Sequence, residues 1–199
     1  MKYEKPFIDY FSKQITFTSK DAHRFLHSLG STPEYSKLFM HNLVVDQKLY
    51  RIKNGFFTFL KNEAVYGFAF RPFYYGMEYA LSIRKIWTQQ ANPVIITRSK
   101  VNAGVRVIIG TNVTIRRINS DAFFGFEYLN HMGIFIPVSR PEKILLDFVY
   151  YGINVDKITL NNLVANVNFD TLKDYGLRLG NRYLASASKV YHNTLRGEI

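Results

Sequence analysis

No cysteine occurs in the 199 residues. That excludes a disulfide framework, a thiolate zinc or iron–sulfur site and a thiol nucleophile, and it fits a reducing, cytoplasmic setting. No stretch approaches the ~18 consecutive apolar residues of a spanning helix, so no membrane partner is expected. The opening Met1-Lys2-Tyr3-Glu4-Lys5-Pro6 is charged without an apolar core, so no secretory signal is expected. Acidic residues are scarce: 15 Asp and Glu stand against 26 Lys and Arg, a formal charge of +11. A surplus of that size points to a polyanion as partner. Aromatic residues are plentiful (17 Phe, 14 Tyr), and 47% of residues are apolar, so the chain can bury a core and is not disordered.

The positive charge is uneven. Residues 1–62 hold ten Lys and Arg against five acids. Between Glu78 and Asp121 no acid occurs, while Arg84, Lys85, Arg98, Lys100, Arg106, Arg116 and Arg117 all fall there. They alternate with apolar residues, which predicts a folded basic face and not a basic tail.

Residues 3–13 read as a short helix with Phe7, Ile8 and Phe11 on one side. Ile15-Thr16-Phe17 is β-prone. Thr18 or Ser19 can cap a second helix, with Asp21 placed for a capping box and Ala22, Phe25, Leu26 and Leu29 forming an amphipathic stripe. After Gly30, Ser31-Thr32-Pro33-Glu34 restarts a third helix that runs to about Gln47. Its expected buried face is Tyr35, Leu38, Phe39 and Leu43. Its expected outer face is Ser36, Lys37, Met40 and His41. Two β-rich runs, 48–52 and 56–60, flank Asn54-Gly55, a strong hairpin signal. Helix, short strand, helix, turn, helix, hairpin is the order of a winged helix-turn-helix. The third helix would enter a major groove, with Arg51, Lys53 and Asn54 on the wing.

The expected organisation is therefore α+β: a winged helix-turn-helix over 1–62, a linker over 63–71, and a small α+β domain over 72–199. The second domain is expected to contain a helix over Tyr74–Leu81 and antiparallel strands at 93–97, 105–109, 113–118 and 132–138. A helix capped by Ser139 with Glu142 follows, then a tail of three short helices from Asp156. Asn161, Asp170 and Asn181 offer caps in that tail, and Gly176 and Gly180 read as breaks.

Three stretches carry a family resemblance. The first is the ending of the winged-helix region, Gln47 to Thr58. The second is Phe73-Tyr74-Tyr75-Gly76-Met77-Glu78-Tyr79-Ala80-Leu81 with the strand ending Ile96-Thr97-Arg98. The third runs from Phe124-Gly125-Phe126-Glu127 to Pro137-Val138-Ser139-Arg140-Pro141-Glu142-Lys143-Ile144-Leu145-Leu146-Asp147. In order and spacing, residues 15–151 resemble the AbiEi antitoxins of abortive-infection (type IV) toxin–antitoxin systems. The resemblance implies a transcriptional repressor that binds inverted repeats in its own operator, as a homodimer on the DNA, and counteracts a nucleotidyltransferase-like toxin. It implies antitoxin activity in the second domain.

No catalytic centre and no cofactor is expected. His23 and His27 are one helical turn apart but lack the Glu or Cys of a metal motif. Glu142 and Asp147 do not share a helix face well; a cap partner and an ion-pair or hydrogen-bonded residue are their expected roles. Phe56-Phe57-Thr58-Phe59 and Phe123-Phe124-Gly125-Phe126 read as core. The expected DNA contacts are Ser36, Lys37, Met40 and His41 on the third helix, Arg51, Lys53 and Asn54 on the wing, and Arg98, Lys100, Arg106, Arg116 and Arg117 as a wider electrostatic footprint. The alternative is an interaction module whose basic face docks an acidic toxin or an RNA without reading an operator.

Overall fold

A computed structural model describes residues 2–198. The architecture is α+β, divided into two compact units. One contains the chain through Ala69 together with Val107–Asn112; the other contains Phe70–Arg106 and the chain from Val113 onward.

The first unit opens with α1 (Glu4–Phe11), β1 (Phe17–Thr18), α2 (Ser19–Ser28) and α3 (Pro33–Val45), followed by β2 (Tyr50–Lys53) and β3 (Phe56–Thr58). The expected capping box starts α2: the Thr18 hydroxyl donates to Asp21 Oδ2 at 2.6 Å, the Thr18 amide donates to the same oxygen at 3.0 Å, and the Asp21 amide donates back to Thr18 Oγ1 at 3.2 Å. Thr32 caps α3 by accepting the Tyr35 amide, with Pro33 in the first turn. Around Asn54-Gly55 the chain reverses with Gly55 at φ 79°, a value that favours glycine. The three strands form an antiparallel sheet in the order β1-β3-β2.

Phe7 lies at the centre of this unit's core. Its ring meets Phe11, Phe17, Phe25, Phe39 and Phe59 at centroid distances of 4.6–6.2 Å, most of them edge to face. Such pairs add to the free energy of simple burial. Met40, Leu43, Leu26 and Leu49 complete the cluster. Residues 63–71, expected to link two domains, begin as a 3₁₀ helix over Glu63–Phe70 in which Ala64 to Phe70 are buried.

From Phe70 onward the chain forms β4 (Phe73–Tyr75), α4 (Met77–Ile83), β5 (Val94–Thr97), β6 (Gly104–Ile108), β7 (Thr111–Arg117), β8 (Phe126–His131), β9 (Ile134–Ser139), α5 (Pro141–Tyr151), α6 (Lys157–Val164), α7 (Phe169–Leu179) and α8 (Asn181–Arg196), all in the second unit except the β6–β7 turn over 107–112. The six-stranded sheet has the order β6-β7-β5-β4-β9-β8. It is mixed: β4 pairs parallel with β9 and β5 parallel with β7, whereas β4–β5 and β8–β9 are antiparallel. This corrects the expectation of antiparallel strands, because the crossovers place strands distant in sequence side by side.

Four further expectations are corrected. Tyr74 and Tyr75 belong to β4, and the helix begins only at Met77. Three consecutive aromatics suit a buried pleated strand, and Gly76 separates it from the helix. Ser139 does not cap α5; Arg140 occupies that position without a side-chain bond, and the Ser139 hydroxyl donates to the Tyr75 carbonyl in the sheet. The caps of the tail are Asp156 for α6 and Asn168 for α7, while α8 starts at Gly180 without a side-chain bond. Gly176 lies inside α7 and not at a break. Helix α5 is the hub of the unit, with residues 142–148 all buried and α4, α6, α7 and α8 packed around it.

Candidate nucleic-acid interface

On α3 the burial pattern fixes what can face a partner. Lys37 and His41 are exposed, one turn apart on one stripe. Ser36 and Met40 are not available: their exposures are 1% and 5%. Their assignment to the outer face is corrected. The helix is rotated so that Ser36, Phe39, Met40 and Leu43 point inward, a spacing as regular as the one expected from Tyr35, Leu38, Phe39 and Leu43. A serine can turn inward there because its hydroxyl donates to the Thr32 carbonyl at 3.0 Å and lies 3.0 Å from Ser31 Oγ. The same rotation exposes Leu38 at 55% and Val45 at 63%, beside Lys37 and His41. The expected burial of Leu38 is thereby corrected, and Val45 was not singled out by sequence. Their signal was the equal claim of Met40 to the core.

On the β2–β3 hairpin, Arg51 and Asn54 are exposed and Lys53 is half-buried. The Arg51 guanidinium lies 5.6 Å from the Phe57 ring centre and the Lys53 ammonium 4.6 Å from Phe56. These ring contacts hold both cations near the hairpin surface.

The cations of the acid-free stretch fall into distinct classes. Arg84 is structural: its Nε donates to the Ser139 carbonyl at 2.6 Å and its Nη2 to Glu127 Oε1 at 2.8 Å. Arg140 reaches the other Glu127 oxygen at 3.2 Å. The Arg84 hydrogen bond, foremost, holds the Glu127 carboxyl below its ordinary range. Arg106 donates to the Asn102 carbonyl. Arg98 lies over Phe123 at 5.6 Å and Arg116 over Tyr151 at 5.0 Å. Lys100 and Arg117 are exposed. Register joins part of this set, because Thr97 is opposite Arg117 in the β5–β7 pair, so Arg98 leaves the sheet beside Arg117. Two cations outside the stretch, Arg178 over Phe124 at 4.2 Å and Arg182 over Tyr183 at 4.9 Å, were not singled out by sequence.

The acids of the Pro141–Asp147 segment are structural. Lys143 and Asp147, one turn apart on α5, form an ion pair with both side chains 0% exposed. The Tyr74 hydroxyl donates to both Asp147 oxygens at 3.0 and 3.2 Å. Burial raises the Asp147 carboxyl against the opposing pull of Lys143, and burial likewise raises the Tyr74 hydroxyl. The group is sealed from solvent and ties α5 to β4. Glu142 Oε1 accepts the Asn168 amide at 2.8 Å, so it serves the start of α7 and not that of its own helix. Among the described residues, no group of three or more His, Asp or Glu could hold a metal ion, and no helix is long and apolar enough to cross a membrane.

No protein-family model and no curated protein matches the chain. Among solved structures it is similar to the crystal structure of the RV2827C protein from Mycobacterium tuberculosis, with a TM-score of 0.64 at 13% identity over 98% of this chain and 80% of that one. At that identity the likeness concerns the fold alone.

Proposed function

We propose that the protein is a DNA-binding transcriptional repressor that acts as the antitoxin of an AbiEi-type system, with a winged helix-turn-helix over its first sixty residues. One observation carries the reading: Lys37 and His41 share an exposed stripe of α3, a helix that follows α2 across a short capped turn and precedes the Arg51/Lys53 hairpin. The sheet order β1-β3-β2, with the short strand before α2 paired to the hairpin, suits the same reading.

In this reading Lys37 and His41 meet base edges in the major groove, with Leu38 and Val45 placed for thymine methyl groups. Arg51, Lys53 and Asn54 contact phosphate or the minor groove. Arg98, Lys100, Arg106, Arg116 and Arg117 add long-range attraction for the polyanion. Two copies on an inverted repeat, and a nucleotidyltransferase-like toxin as the functional partner, come with the resemblance. No catalytic step is assigned to the chain.

The test is a gel-shift titration with the DNA upstream of its own gene against random duplex of equal length. Preference for the upstream DNA is expected, with affinity falling steeply as salt rises. Equal affinity for both duplexes would sink the repressor reading. Lys37→Ala with His41→Ala should remove the preference while leaving weak general binding.

A further inference from the structure

The second unit holds four guanidiniums over rings: Arg98 over Phe123, Arg116 over Tyr151, Arg178 over Phe124 and Arg182 over Tyr183, at 4.2–5.6 Å, with Arg182 also donating to the Tyr183 hydroxyl at 3.2 Å. None of the four forms an ion pair among the described residues, although Arg84, Arg140 and Lys143 in the same unit all have carboxylate partners. Arg178 lies on Phe124 even though Asp174 is one turn away on the same helix. The unit therefore separates two kinds of cation. Arg84, Arg140 and Lys143 face acids, Lys143 lying over the Tyr74 and Phe124 rings as well, whereas the four arginines lie over rings with no carboxylate partner among the described residues.

Three of these pairs, those of Arg98, Arg116 and Arg182, are linked. Tyr150 stacks on Tyr183 at 5.4 Å and 30° and meets Tyr151 edge-on at 5.0 Å. The Tyr151 hydroxyl donates to the Arg117 carbonyl at 2.9 Å. Arg117 is in turn the β7 neighbour of the strand end that leads to Arg98. Arg98, Arg117, Arg178 and Arg182 are exposed, and Arg116, Tyr150, Tyr151, Tyr183 and Phe123 are half-buried.

We propose that this arginine–aromatic belt binds an unpaired stretch of RNA. An exposed guanidinium held beside a ring offers a planar face to a nucleobase, while the adjoining phosphate meets the uncompensated charge. The occupant must offer an open π-face and a negative chain together. Duplex DNA keeps its base faces stacked inside. An anionic headgroup or an acidic protein surface offers charge without that face. RNA loops and ends present both as a matter of course. The proposal is independent of the operator reading.

The test measures fluorescence anisotropy of the full-length protein with a labelled, unstructured RNA of about a dozen nucleotides. The comparisons are RNA duplex and single-stranded DNA of equal length. Unpaired RNA is expected to bind roughly tenfold more tightly than the duplex, and more tightly than the DNA strand. The double change Arg98→Lys/Arg182→Lys keeps charge but removes the planar guanidinium at two exposed sites. It should weaken unpaired-RNA binding roughly five- to tenfold at unchanged circular dichroism and melting temperature. Lys37→Ala/His41→Ala should leave RNA binding unchanged. Equal binding of unpaired and duplex RNA, wild-type binding by the lysine variant, equal or tighter binding of the DNA strand, or loss of RNA binding in the α3 variant would each overturn the proposal. Loss of operator preference alone would leave it intact.

Discussion

Removing one partner of the buried Lys143–Asp147 pair should be among the most damaging single changes in the chain. Asp147→Ala leaves an ammonium with 0% exposure opposite no carboxylate, an arrangement that costs about 3–5 kcal/mol. Replacing both, as Lys143→Met with Asp147→Leu, should recover part of that loss, because no unpaired charge remains. Urea denaturation of the two variants checks the order. An ion pair or hydrogen bond for Asp147 was legible from its place on an amphipathic helix, and it makes both. Its partner Lys143, and Tyr74 from a strand 73 residues earlier in the chain, were not, because a lysine in sequence reads as surface. The inward turn of Ser36 was hidden for a related reason: its two oxygen partners lie in the turn that precedes α3, and only the fold supplies them.

Local chemistry governs the elements. The hydroxyl of Thr18, then its amide, holds the Asp21 carboxyl below its ordinary range. A carboxyl depressed in the folded state stabilises above its unfolded pKa of about 3.9, and that stabilisation is lost as pH falls through the lower folded value. Asp21→Asn should therefore cost about 1 kcal/mol at neutral pH and flatten the acid limb of the stability curve. Melting temperatures between neutral and acid pH check both. The opposite lesson comes from Gly176. A Cβ there would approach Leu184 Cα at 3.0 Å and Cδ1 at 2.9 Å, across the α7–α8 contact. Gly176→Ala should lower stability by about 1–3 kcal/mol, although alanine is the better helix former by about 1 kcal/mol. A higher melting temperature for that variant would show that α7 and α8 can separate. The capping box and the Asn54-Gly55 turn were legible because their partners lie within a few residues. The helical glycine read as a break because its reason lies on another helix.

At the scale of the molecule, the charge of +11 is a sum over cations in different states. Arg84 and Arg140 share the one Glu127 carboxylate, so the three groups together leave a single positive charge. Exposed Lys37 and Arg51 contribute fully. Arg51→Ala should reduce the slope of log affinity against log salt by about one for duplex DNA, whereas Arg84→Ala should lower stability without a comparable change in slope. Titrations at several salt concentrations, beside melting curves, separate the two.

The sequence by itself determined the α+β class, the caps of α2 and α3, the β2–β3 hairpin and the basic character of residues 79–120. Each of these follows from composition or from partners a few residues apart. The tertiary structure decided the rotation of α3, the parallel pairs of the second sheet, the burial of Lys143 with Asp147, and the choice between arginines paired with acids and arginines lying over rings. Those outcomes depend on side chains brought together from separate elements, and a helix with two equally regular apolar stripes does not announce which one its neighbours will cover.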